Sequence, residues 1–147
     1  GEYRLRVAAA DTTGRRGTVD YEFQAGLTDA GPIKLGALML GYSDAGAFRP
    51  RLQFDAAAAE VTAYVEFYVT SEPGTTLSAS FEVASGPGGA ASPPVAARIL
   101  SSGDPDRRVA TGILAIDRLT PGDYVVRAIF TMNGKAVGAA SRTLRKR

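Results

Sequence analysis

With 147 residues, 45% hydrophobic and 22% charged, the chain has the length and composition of one ordinary globular domain, large enough to bury a two-layer core. Its 17 basic and 15 acidic residues leave a formal net charge of +2, too small to imply a nucleic-acid or anionic-membrane partner. The absence of Cys and His removes disulfide frameworks, thiolate chemistry, the usual general base and the commonest metal ligand, and no apolar run approaches the roughly 18 residues of a membrane span.

The dominant hydrophobic period is two, with turn residues recurring at short intervals, as in an antiparallel sandwich or barrel. Two strands are expected at residues 2–10 and 16–24. One strand follows over 33–41, then a loop from Tyr42 to Arg49, then a short strand over 50–54. Ala56-Ala57-Ala58-Ala59-Glu60 is the only helix-prone stretch, too short to hold a helix alone, and reads as a turn. In a strand over 60–70, Val61, Ala63, Val65, Phe67 and Val69 alternate with Thr62, Tyr64, Glu66 and Tyr68.

Pro73-Gly74 turns the chain into a strand over 76–84, where Leu77, Ala79, Phe81 and Val83 share a face. Ser85 to Pro94, rich in Gly, Ser and Pro, reads as a long loop unable to pair in a ladder. Further strands are expected at 94–101, 107–117, 123–131 and 135–144. Val109, Thr111, Ile113 and Ala115 form one face of the second of these, and Tyr124, Val126, Ala128 and Phe130 one face of the third. Asn133-Gly134 is the strongest hairpin signal, because both residues tolerate the positive φ of a type I′ turn. The cluster Arg142, Arg145, Lys146 and Arg147 reads as a solvated tail.

The strands after residue 26 suffice for an immunoglobulin- or fibronectin-III-like antiparallel β-sandwich over 27–147. Leu119-x-Pro121-Gly122-x-Tyr124 suits the tyrosine corner of such folds, in which a Tyr entering the penultimate strand bonds back to the preceding connection. Residues 1–26 are surplus, and they repeat the end of the chain. Gly1-Glu2-Tyr3-Arg4-Leu5-Arg6 leads to Gly17 as Gly122-Asp123-Tyr124-Val125-Val126-Arg127 leads to Gly138, with the same spacing between the glycines. The expectation is therefore a β-hairpin left over from a preceding sandwich, or donor strands that complete one in a neighbour, and residue 1 is not expected to be a natural boundary.

The string Gly1 to Asp11, with Gly14-Arg15-Arg16-Gly17-Thr18-Val19, leads into Ala25-Gly26-Leu27 and on to Leu38-Met39-Leu40-Gly41. Together with Phe48-x-Pro50, Tyr64-Val65-Glu66-Phe67-Tyr68 and the corner motif, it resembles the C-terminal region of bacterial von Willebrand factor type A-related proteins across essentially the whole chain. Gly36-Ala37 stands where that pattern has Ser-Asp. The resemblance implies a β-sandwich piece of a longer exported or envelope protein. It transfers no metal-dependent adhesion, because the Asp-x-Ser-x-Ser loop of the adhesive domain does not occur here.

No catalytic constellation emerges. No Ser lies in Gly-x-Ser-x-Gly, and Asp11, Asp29, Asp44, Asp104 and Asp106 fall at turns while Glu66 and Glu82 fall on solvent-facing strand positions. Gly103-Asp104-Pro105-Asp106-Arg107 reads as a surface turn, since its spacing matches no calcium loop. Tyr64, Glu66 and Tyr68 share a face and are the candidate interaction surface; core or inter-sheet packing is the preferred reading of the two rings. Arg6 and Arg127, at matching repeat positions, suggest cross-strand ion pairs. The expected function is a non-catalytic structural or protein-interaction module without cofactor. A self-assembling subunit acting through the hairpin is the alternative, and a carbohydrate-binding module resting on the tyrosines comes third.

Overall fold

The structure, a computed structural model, describes residues 1–44, 46–70 and 74–147, and among these every regular element is a strand. In chain order they are β1 (Glu2–Ala10), β2 (Arg16–Gln24), β3 (Thr28–Ala30), β4 (Ile33–Leu35), β5 (Met39–Asp44), β6 (Ala47–Pro50) and β7 (Glu60–Val69). Then come β8 (Leu77–Ala84), β9 (Val95–Ala96), β10 (Arg98–Ser101), β11 (Arg107–Ala115), β12 (Gly122–Met132) and β13 (Lys135–Lys146). No helix is long and apolar enough to cross a membrane.

Alternation sorts these strands into an antiparallel sandwich and a separate hairpin. One sheet runs β10-β11-β7-β4-β3, with β5 following β4 along the same edge of β7 and carrying β6. The other runs β13-β12-β8-β9, and β1 pairs only with β2. The inward faces are those that period two selects on β7, β8 and β12. Phe67 and Phe130 meet across the sheets with ring centroids 5.0 Å apart, among fully buried Val61, Val65, Phe81, Val126 and Leu144. Each such side chain contributes roughly 1.5–3 kcal/mol on burial. The turn at Asn133 (φ 52) and Gly134 (φ 77) has the two positive angles that the sequence anticipates.

Several expectations are corrected. The single strand over 33–41 is two. Gly36 still donates its N–H to Glu66 O at 2.8 Å, but a Cβ there would lie 2.9 Å from that oxygen. The chain then leaves the ladder and its phase shifts by one: Ile33 and Leu35 point inward before the break, Leu38 and Leu40 after it. The loop expected at 42–49 is largely the β5–β6 hairpin, with Gly46 at φ 82; Ala45 lies outside the described residues. Aromatic packing supports it, since Tyr42 meets Phe54 edge-on at 5.3 Å. Of the 50–54 strand, only Pro50 and an isolated bridge from Phe54 to Lys146 remain.

The strand expected over 94–101 splits because it changes sheet: β9 pairs with β8 and β10 with β11. On β11 the face carrying Val109, Thr111 and Ile113 is the outer one. The inner positions are Ala110, Gly112 and Leu114, small where Phe81 of the opposite sheet needs room. Ser85 to Pro94 is a loop with a single bridge, Ala84 to Ala91. Gly74 has φ 86, while Pro73 lies outside the described residues. Arg142 to Lys146, expected in a solvated tail, belong to β13. Phe54 clamps its end, donating N–H to Arg145 O and accepting from Arg147 N, both at 2.8 Å. Lys146 is fully buried there, its Nζ donating to Ile116 O at 2.6 Å.

Candidate functional site

The tyrosine strip lies on the outward face of the larger sheet, neither in the core nor beneath β1–β2. Strand alternation puts Tyr64, Glu66 and Tyr68 opposite the buried Val65 and Phe67, and all three are half-buried. Phe48 of β6 folds over Tyr64, the rings stacked with centroids 4.9 Å apart, and this covers one side of the strip. Tyr64 Oη donates to Glu66 Oε1 at 3.0 Å, and Arg107 Nη2 donates to the same oxygen.

This network sets the protonation of the strip. The Arg107 guanidinium holds the Glu66 carboxyl below the usual carboxylate range, outweighing partial desolvation, with the Tyr64 hydroxyl assisting. Partial burial raises the Tyr64 phenol, and the hydrogen bond to Glu66 adds to it. A carboxylate committed to an arginine and a phenol is a poor proton acceptor, so the chemistry it supports is cross-strand fastening. Sequence reasoning missed Phe48 because its segment reads as a loop; the Phe48-x-Pro50 string is the cue that was available.

The corner forms as its motif requires. Tyr124 Oη donates to Thr120 O at 2.9 Å and lies 3.2 Å from Thr120 Oγ1. The ring folds back over Gly122, where an added Cβ would be in ordinary contact with Tyr124 Cε2 at 3.6 Å. Leu119 packs on the core just before Pro121. Asp104 and Asp106 stay in a turn, the Asp106 N–H donating to Asp104 Oδ1 at 2.9 Å. Among the described residues no group of three or more Asp and Glu side chains is placed to hold a metal ion.

The most distinctive surface is on β1–β2. The register sets Tyr3 against Phe23, Leu5 against Tyr21 and Val7 against Val19, which gathers six apolar side chains on one face. These six are between 39% and 63% exposed. The opposite face is polar and satisfied internally: Arg6 binds Asp20 through two bonds of 2.6 and 2.8 Å, and Arg4 binds Glu22 at 3.0 Å. Asp11 fastens the turn by accepting the N–H groups of Thr13 and Arg15 at 2.9 and 3.0 Å. At the matching positions of β12–β13, Val126, Ala128 and Leu144 are fully buried, Tyr124 and Ala140 half-buried and Arg142 exposed. No family model matches the chain, and no curated protein matches it.

Proposed function

We propose that the chain is a non-catalytic β-sandwich module that works through protein–protein contact, with β1–β2 as its contact element. The supporting observation is the contrast between the two hairpins. One sequence pattern is buried under a second sheet in β12–β13 and lies bare in β1–β2. A two-stranded hairpin with no covering layer is marginal in water, and a contiguous apolar face marks an interaction surface. The module reading agrees with the resemblance to a piece of a larger exported protein, and on this reading residues 1–26 and 27–147 are separate structural units.

A second reading is favoured by the repeat itself: β1–β2 serves as the closing hairpin of a sandwich in a neighbouring chain. Analytical ultracentrifugation over a wide concentration range tests both, together with hydrogen exchange on the full chain. Association that protects the β1–β2 amides and is abolished by Leu5→Glu with Tyr21→Glu supports the hairpin as the contact. If the same oligomers form in the double variant, the hairpin is not the contact. If the chain stays monomeric at every concentration, self-assembly fails. The wider reading fails if the β1–β2 amides are as protected in that monomer as those of β12–β13, since the hairpin then needs no partner.

A further inference from the structure

A separate feature sits at the open side of the sandwich. The segment after β6 crosses from one sheet to the other: the Arg51 N–H donates to Leu40 O in the larger sheet, and the Phe54 N–H donates to Arg145 O in the smaller. Leu52, midway across, is 76% exposed. A cleft of about 560 Å³ spreads from Leu52 over the outward face of the smaller sheet, bordered there by Pro87, Val125, Arg127, Ser141, Thr143 and Arg145.

Backbone direction follows from the Phe54 bonds. Arg145 O and Arg147 N face the free edge, and backbone groups alternate sides along a strand. Thr143 and Ser141 therefore turn their N–H and C=O groups toward the same free edge, beside the cleft. Among the described residues β13 is the end strand of its sheet, pairing with β12 alone, and the one bridge on its outer edge is that of Phe54. Unpaired edge groups of this kind receive an added strand.

The charge selects the guest. No acidic side chain lines this cleft or the adjoining one of about 450 Å³, where Arg51 and Arg142 stand near Leu40. Among the described residues, Arg51 and Arg142 have no carboxylate partner. Arg145 is only loosely held, 4.0 Å from an Asp123 carboxylate that Arg147 grips at 2.5 Å. Arg127 is neutralised by Glu82 at 2.9 Å and serves as a wall.

We infer that this edge of β13 binds an extended acidic segment of a partner protein as an additional strand. The guest backbone pairs with Ser141 and Thr143 while its carboxylates meet Arg142, Arg51 and Arg145. The paired edge distinguishes this guest from a polyanion held by charge alone, which has no repeating N–H and C=O groups to offer. The proposal does not depend on β1–β2.

The test is anisotropy titration of a fluorescein-labelled octapeptide of alternating Glu and Thr with the full chain. Saturable binding is expected, absent with the Lys–Thr peptide. Full N-methylation of the peptide, which keeps its charge but removes its donors, should weaken binding about tenfold or more. Arg142→Ala should cost about tenfold through one lost charge-assisted contact, whereas Arg118→Ala, exposed elsewhere, should cost nothing. Circular dichroism confirms that both variants are folded. No saturable binding at millimolar peptide, equal affinity of the N-methylated peptide, or full displacement by heparin with no effect of Arg142→Ala would overturn the assignment.

Discussion

Replacing Gly112 with Ala measures how closely the two sheets approach at Phe81. The added Cβ would stand 2.7 Å from Phe81 Cδ2 and 3.1 Å from Cε2, well inside the roughly 3.5–4.0 Å optimum for two carbons. Phe81 is fully buried, so relief requires an off-rotamer ring or a shift of β8. Overpacking of this sort costs about 1–3 kcal/mol. Against it stands a gain of roughly 0.4–1 kcal/mol, because Ala leaves the unfolded chain less freedom than Gly. The net loss is roughly 0–2.6 kcal/mol, which for a chain of this size lowers Tm by up to about 10 °C. Phe81→Leu removes the clashing ring atoms, so the double variant should be more stable than the sum of the single effects implies, by about 1 kcal/mol. Urea unfolding of the four proteins, followed by circular dichroism, reads the coupling. Strict additivity in the cycle would refute the close approach on which this rests.

Three other outcomes are expected. Tyr124→Phe removes the corner bond to Thr120 O and should destabilise the chain by about 1 kcal/mol in urea, whereas Tyr3→Phe, at the matching position of an exposed hairpin, should be neutral. Because Arg107 lowers the folded-state carboxyl of Glu66, that pair stabilises the fold above the ordinary glutamate range, and its contribution disappears as pH falls through the lowered value. Glu66→Gln should therefore flatten the acid limb of Tm against pH while leaving the neutral-to-alkaline limb parallel to the parent. Gly134→Ala forces an L side chain to φ 77 and should cost about 1 kcal/mol or more by thermal melting, with the β12–β13 register unchanged by amide exchange.

Where the sequence carries a clean alternation, the fold is legible in it. β1 and β2 begin and end where the pattern places them, and β8 and β12 turn their apolar faces inward; β7 does so too, but Tyr64 and Tyr68, expected to pack in the core or between sheets, lie on its outward face. The failures have physical causes. Between Leu35 and Leu38 the inward set moves from odd to even positions, a shift visible in the sequence but read there as one apolar run. On β11 alternation marks Val109, Thr111, Ile113 and Ala115 as one face without saying which way it points, and the core takes Ala110 and Gly112 because Phe81 from the other sheet already fills that volume. No local rule supplies that information. The C-terminal arginines read as a tail because their partner, Phe54, lies far away in sequence. The same distance conceals the cleft beside Leu52, and it leaves the tyrosine strip legible as a face but not as a network closed by Arg107 and Phe48.

The two related hairpins separate what local sequence decides from what packing decides. The Gly-x-Tyr opening sets the ring over the glycine in both: a Cβ added at Gly1 would stand 3.5 Å from the Tyr3 ring, and one at Gly122 3.6 Å from that of Tyr124. The arginine three residues after each tyrosine makes a cross-strand ion pair in both, but toward different strands. Arg6 closes on Asp20 of its own hairpin partner, whereas Arg127, facing Ser141 on that side, reaches across to Glu82 of β8 and to the Gly86 carbonyl. Asp20 in one copy and Ser141 in the other thus decide whether the polar face is sealed within the hairpin or ties it to the next strand. In β1–β2 the polar face is sealed, with Arg4 and Arg6 each paired at home. What remains unsatisfied is the face of Tyr3, Leu5, Val7, Val19, Tyr21 and Phe23, so apolar coverage, more than charge pairing, is what any surface docking on this hairpin must supply.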